Sequence, residues 1–269
     1  MIISRFAPSP SYYPHLGHLR GLLILKHLTA RGKLYLRLDD TREDEYLSQY
    51  VREFLDLFRR YQIPLAGVIR ASKRSASYIS EIKRLLVSKR AFICECPDTV
   101  DKKYRVSCDC HKKNLEWKDM SPERVVRLRS DHEADYVILR YNKRHRKYTP
   151  TLTFQSVVDD KFLGVNYLYR GSDLESSESR LREIYSITSG NNRFPVSKYW
   201  GRIAVIDGQT SYEVSKSAKK SPHEIPGIRA LERDHSREAI EQFLLSYGKT
   251  KSPIRVDLRK LRSISKRLN

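Results

Sequence analysis

The stretch RFAPSPSYYPHLGH, Arg5–His18, joins a strand to a helix. Apolar, β-prone Ile2–Phe6 leads into it, Pro8 and Pro10 end the strand, and a helical stretch follows from Leu16 to Ala30. Proline removes an amide donor, so neither a central strand nor a helix interior continues through this loop. At the helix start the first backbone N–H groups are unpaired and the dipole favours an anion, which suits a phosphate. Gly17 permits close approach there. His15 and His18 can donate hydrogen bonds to charge developing on an α-phosphate. Taken alone, two histidines in a first helical turn also suit a metal or the surface, so the rest of the chain has to discriminate.

A second strand, Leu34–Leu38, ends on Asp39 and Asp40, with Thr41 placed to cap a helix whose Leu47, Val51, Phe54 and Phe58 recur at helical spacing. Gly67–Ile69 reads as a strand and Ser75–Ser88 as an amphipathic helix. After a cysteine-bearing segment the rhythm resumes with strand Tyr136–Tyr141, a basic turn, a helix around Phe154, strand Val165–Tyr169 and a helix from Leu174 to Thr188. This alternation predicts an α/β fold with a doubly wound parallel sheet, interrupted by an insertion. From Pro222 onward the pattern turns helical, at Glu238–Tyr247 and Leu258–Leu268.

The chain has 269 residues, with 52 Lys and Arg against 32 Asp and Glu, a formal charge of +20. Such an excess makes an acidic polymer, nucleic acid first, the partner to expect. The cations concentrate in Lys143–Lys147, Lys216–Lys220 and Lys251–Arg267. No apolar run approaches the roughly 18 to 20 residues of a membrane span. Leu19–Leu28 is interrupted by Arg20, Lys26 and His27. With no secretory signal pattern at the start, the expectation is a cytoplasmic protein without a membrane partner. All four cysteines, Cys94, Cys96, Cys108 and Cys110, lie in one short segment. In a reducing compartment that clustering favours a metal over disulfides, and four thiolates can close a tetrahedral structural Zn²⁺ site.

These motifs resemble the glutamyl-tRNA synthetase family of class I. Arg5–His18 is similar to its signature loop, RFAPSPTGxLHLGH, with Tyr12 in place of a glycine. LRLDDT, Leu36–Thr41, resembles the family's RFDDT. TPTLTFQSVVDDKFLGVNYLYRGSD, Thr149–Asp173, resembles the archaeal form, with apolar Leu152 where bacterial relatives have tyrosine. EVSKS, Glu213–Ser217, resembles the KMSKS loop, with Glu213 replacing its first lysine.

The resemblance implies a class I synthetase Rossmann-like doubly wound parallel sheet. Residues 1–90 and 132–221 would be the two halves of the catalytic domain, 91–131 a zinc-binding insertion and 222–269 a small helical stem-contact region. The chemistry implied is ATP-dependent activation of glutamate, with ATP as its Mg²⁺ complex, and transfer to tRNA. His15, His18 and Lys216 would be catalytic; with Gly17 and Ser215 they would bind ATP. Arg5, Ser9, Asp39 and Arg170 would hold glutamate, Asp39 at the amino group and Arg170 at the side-chain carboxylate, a task for which a guanidinium is suited. Truncated glutamyl enzymes use C-x-C, a tyrosine and a cysteine for zinc, so Tyr104 stands beside Cys110 as the alternative fourth ligand. The resemblance stops where an anticodon-binding domain would begin, which leaves room for a separate anticodon-binding protein. It also leaves open glutamylation of a modified base, as in glutamyl-Q enzymes, a catalytically weakened tRNA-binding paralogue, and glutamine as the substrate.

Overall fold

The computed structural model describes residues 1–41, 48–96, 108–130, 135–189, 193–207, 210–213 and 227–268. In chain order they form β1 (Ile3–Phe6), α1 (Leu16–Leu28), β2 (Lys33–Leu38), α2 (Ser48–Arg60), β3 (Gly67–Arg70), α3 (Ser75–Val87), β4 (Ala91–Cys94), β5 (Val125–Leu128), β6 (Tyr136–Asn142), β7 (Lys147–Pro150), α4 (Leu152–Phe162), β8 (Tyr167–Gly171), α5 (Glu178–Ser189), β9 (Val196–Trp200), β10 (Ile203–Asp207), β11 (Thr210–Glu213), α6 (Ile228–Asp234), α7 (Arg237–Leu245), β12 (Ile254–Asp257) and α8 (Leu258–Leu268). Two compact units divide them: Met1–Arg70, Val165–Ser176 and Pro195–Asn269 form the first, Ala71–Gly164 and Ser177–Phe194 the second.

In the first unit β1, β2 and β3 pair in parallel, as do β8 and β9. Asn166 N–H donates to Ile3 O at 3.0 Å, Ile3 N–H to Asn166 Oδ1 at 2.8 Å and the Ser4 hydroxyl to Tyr167 O at 2.7 Å. These bonds set β8 beside β1, so these five strands follow the order β3-β2-β1-β8-β9. Strand β8 begins at Tyr167, two residues later than its apolar run predicts. The order reverses between β1 and β8, which creates the switch point at which open α/β sheets take ligands.

Helix α1 is apolar around most of its circumference and nine of its residues are buried, as befits a helix enclosed by its own core. Gly21 lets it approach β9, since a Cβ there would lie 2.8 Å from Trp200 Cζ2. Helix α2 buries the stripe Tyr50, Phe54, Leu57 and Phe58; one fully buried side chain such as Phe54 is worth roughly 1.5–3 kcal/mol. Leu47, expected on that stripe, lies outside the described residues. Helices α6 and α7 add Leu231, Ile240 and Phe243, and α8 adds Leu261 and Ile264, to the same core. Strand β12 pairs in parallel with β10, which also pairs antiparallel with β11.

The second unit departs from the parallel rhythm. Tyr136–Asn142 forms the expected strand, but within an antiparallel sheet ordered β4-β5-β6-β7. The reason is the length of its connection. Only Lys143–Arg146 separates β6 from β7; Asn142 Oδ1 accepts from Arg144 N–H at 3.0 Å and His145 N–H at 3.2 Å, and Arg146 has φ 48°. A four-residue turn joins antiparallel neighbours, whereas a parallel pair needs a crossover of a dozen or more residues. The helix expected from Leu174 is split: Ser172–Ser177 is a 3-10 turn and α5 starts at Glu178.

Candidate active site and metal cluster

The loop after β1 is tied to the end of β2, because Asp39 N–H donates to Pro8 O at 3.1 Å and the Ser9 hydroxyl to Asp39 O at 3.5 Å. His15 then caps α1 in extended backbone, with Nδ1 accepting from Gly17 N–H at 3.1 Å. His15 N–H in turn donates to His18 Nδ1 at 3.2 Å. This is a capping box built from two imidazoles in place of the usual hydroxyl and carboxamide. Its chemical consequence is a fixed tautomer: with each Nδ1 accepting, each neutral ring carries its proton on Nε2. The rings stack at 3.8 Å and 24°, and Phe6 and Phe54 meet His18 edge-on. Gly17 makes room for this cap, for a Cβ would lie 2.9 Å from His15 Cε1.

Arg5, at the carboxyl end of β1, is 6 % exposed and Arg170, on β8, 4 %. Arg170 Nη2 donates to Tyr199 Oη at 2.8 Å and Ser197 Oγ at 3.2 Å, and its guanidinium lies 5.3 Å from the centre of the Tyr199 ring. The β8–β9 register pairs Arg170 with Tyr199. Sequence reasoning missed Ser197 and Tyr199, whose signal was the short alternation in Val196–Trp200. Asp39 stands 3.9 Å from Arg37 Nη1, and Asp40 accepts from Arg70 at 2.8 Å. Arg5, Ser9, His15, Gly17, His18, Asp39 and Arg170 thus belong to one unit and stand at or after the carboxyl ends of β1, β2 and β8. Tyr12 stacks against both imidazoles, 6.0 Å from His15 and 5.8 Å from His18.

Ser215 and Lys216 lie outside the described residues. Strand β11 ends at Glu213, and Gly227 forms an antiparallel bridge with His15.

In the second unit Cys94 ends β4, Cys96 follows it, and Cys108 and Cys110 flank the start of a 3-10 turn. The four Sγ atoms lie within 4.8 Å of one another, with Cys94–Cys108 at 3.6 Å and Cys96–Cys110 at 3.7 Å. A tetrahedron of thiolates around zinc has S···S edges of about 3.8 Å, from a Zn–S bond near 2.3 Å. The cluster is thus compatible with zinc in both donor type and spacing. Burial pushes the Cys108 thiol up to about 12 and raises that of Cys96 as well, whereas at Cys110 burial is outweighed by hydrogen bonds from the Glu95 backbone and the neighbouring thiols, which lower it. Glu95, between the first two cysteines, pairs with Lys113 and with Arg124, the latter at 2.6 Å. The alternative ligand Tyr104 lies outside the described residues.

Lys143, Arg144, Arg146 and Lys147 are exposed at the β6–β7 turn. Helix α8 buries Leu258, Leu261 and Ile264 and exposes Arg259, Lys260, Arg262, Lys266 and Arg267. Residues Lys216–Lys220 fall outside the described set. Among the described residues no helix is long and apolar enough to cross a membrane.

Residues 1–137 match the family described as tRNA synthetases class I (E and Q), catalytic domain. The glutamate–tRNA ligase of Archaeoglobus fulgidus is 29 % identical over 300 residues, covering 97 % of this chain and 54 % of the relative. That of Methanosarcina mazei is 26 % identical over 302 residues, covering 97 % and 52 %. The chain therefore spans about half the length of these curated relatives. The crystal structure of a glutamate tRNA ligase from Elizabethkingia meningosepticum in complex with its amino acid superposes with a TM-score of 0.72, at 15 % identity, over 99 % of this chain and 69 % of that one; the likeness shows a shared fold. The chain belongs to the class I tRNA synthetases of the E and Q group and carries a glutamyl-tRNA-synthetase-like catalytic domain.

Proposed function

We propose that this chain activates glutamate with ATP and transfers the glutamyl group to a tRNA hydroxyl. A glutamate α-carboxylate oxygen attacks the α-phosphorus of ATP, the bond to the β-phosphate breaks, and pyrophosphate leaves. The hydroxyl then attacks the carbonyl of glutamyl-adenylate and AMP departs. The observation that carries this reading is the imidazole capping box, which presents two Nε2–H donors of fixed tautomer near the carboxyl end of a parallel strand. Such donors need no reorganisation as charge develops on the phosphate.

Arg5 and Ser9 hold the amino acid, Asp39 takes its ammonium and Arg170, oriented by Tyr199 and Ser197, takes the side-chain carboxylate. Lys216 and Ser215, matched by the EVSKS motif, serve the pyrophosphate. ATP enters with Mg²⁺. Cys94, Cys96, Cys108 and Cys110 would hold a structural zinc, which would supply a crosslink between β4 and the 3-10 turn at Asp109–Lys113.

The test is amino-acid-dependent ATP–pyrophosphate exchange with glutamate and glutamine in competition. Glutamate should win, and Arg170→Ala should raise the KM for glutamate roughly ten- to hundredfold, the loss of a charge-assisted pair. Unchanged glutamate affinity in that variant would remove Arg170 from the site. Charging of tRNA with labelled glutamate, followed by mild base, identifies the acceptor, since an ester at the 3′ end is labile.

A further inference from the structure

The loop between β1 and α1 carries an aromatic ring that phosphate binding by the imidazoles does not use. The Tyr12 ring lies 6.0 Å from that of His15 and within 4° of parallel to it, and 5.8 Å from that of His18 at 28°. With the imidazoles 3.8 Å apart, the three rings form a triangle in which Tyr12 packs against both partners. Phe6 and Phe54, which meet His18 edge-on, belong to the hydrophobic core, whereas Tyr12 is half-buried. Burial raises the Tyr12 phenol above its ordinary value and the carboxylate of Asp173 adds to the effect, so the hydroxyl stays protonated. Asp173 follows the carboxyl end of β8, where it sits against Gly171. Tyr12 therefore belongs to the β1 side of the switch point and feels a charge on the β8 side. That is the position a nucleotide would take in a sheet of this order.

We propose that Tyr12 is a gating residue of the nucleotide site: its ring packs on the imidazole pair, and a triphosphate reaches His15 and His18 by displacing it. The inference rests on the reading of these histidines as phosphate ligands. Its consequence is an apparent ATP affinity lowered by the fraction of chains in which the ring stands aside. Removing a stacked aromatic contact of ordinary strength should therefore tighten binding roughly two- to tenfold.

The experiment is calorimetric titration of the intact chain with MgATP for wild type, Tyr12→Ala, Tyr12→Gly and Tyr12→Phe, each checked for folding by thermal melting. The gate predicts tighter binding for alanine and glycine and wild-type affinity for phenylalanine, which keeps the ring. Saturating MgATP should also move the His15 and His18 ring-proton resonances of wild type to their positions in Tyr12→Ala. Equal or weaker binding by both small-residue variants, or resonances that keep the Tyr12 ring-current shift at saturation, would overturn the gate while leaving ATP binding intact. No binding by any of the four proteins, wild type included, would overturn the gate together with the phosphate reading of His15 and His18.

Discussion

The two imidazoles serve structure and chemistry with different atoms. Nδ1 of each closes the helix cap, and the Nε2 proton that results is the one the proposed phosphate role would use. Gly17 is the residue on which both depend. Gly17→Ala puts a methyl group 2.9 Å from His15 Cε1, so the ring must leave the cap. Loss of the cap should cost about 1 kcal/mol of stability, seen as a small drop in melting temperature, while the exchange rate should fall roughly ten- to hundredfold because the donors lose their orientation. A variant with unchanged exchange would show that the cap does not position the rings. The sequence placed His15, Gly17 and His18 at the start of a helix, but did not indicate that histidine would be the capping residue, since hydroxyl and carboxylate side chains ordinarily take that place. Arg170 was singled out by its motif. Its partners Ser197 and Tyr199 were not, because a five-residue strand with a charged residue between them looks like many surface segments.

Strands and helices with strong periodicity formed close to their expected bounds: α8 runs from Leu258 to Leu268 as read, and α1 from Leu16 to Leu28. What periodicity could not convey was pairing direction. Strand β6 reads the same in a parallel or an antiparallel sheet, and the turn at Lys143–Arg146 makes the choice. The short strands β4 and β5 were hidden by the cysteine motif they flank, although Cys94, Cys110, Phe92 and Val125 form a small core of their own. If zinc holds that core, purified protein should contain about one equivalent of metal per chain, and Cys110→Ser or a chelator should remove it and lower the melting temperature. Acid should release it too, because protons compete with the metal for the thiolates. Metal content far below one equivalent in protein prepared without chelator would count against the site.

Across the molecule, the charge of +20 is not spread evenly over the described surface. Helix α8 keeps Leu258 and Leu261 inward and turns Arg259, Arg262 and Arg267 outward, and the β6–β7 turn presents four more cations. Binding to tRNA through phosphates should therefore weaken steeply with salt, and replacing the three α8 arginines by glutamine should lower the slope of log K against log salt by roughly one for each phosphate no longer neutralised. A slope unchanged by the triple substitution would take α8 out of the interface. The chain spans about half the length of its curated relatives, so its acceptor has to be measured rather than inherited from them. The decisive measurement is glutamate-dependent ATP–pyrophosphate exchange by the purified chain, with and without tRNA. Exchange should require glutamate and fall in Gly17→Ala and Arg170→Ala; no exchange under either condition would show that the chain does not activate glutamate.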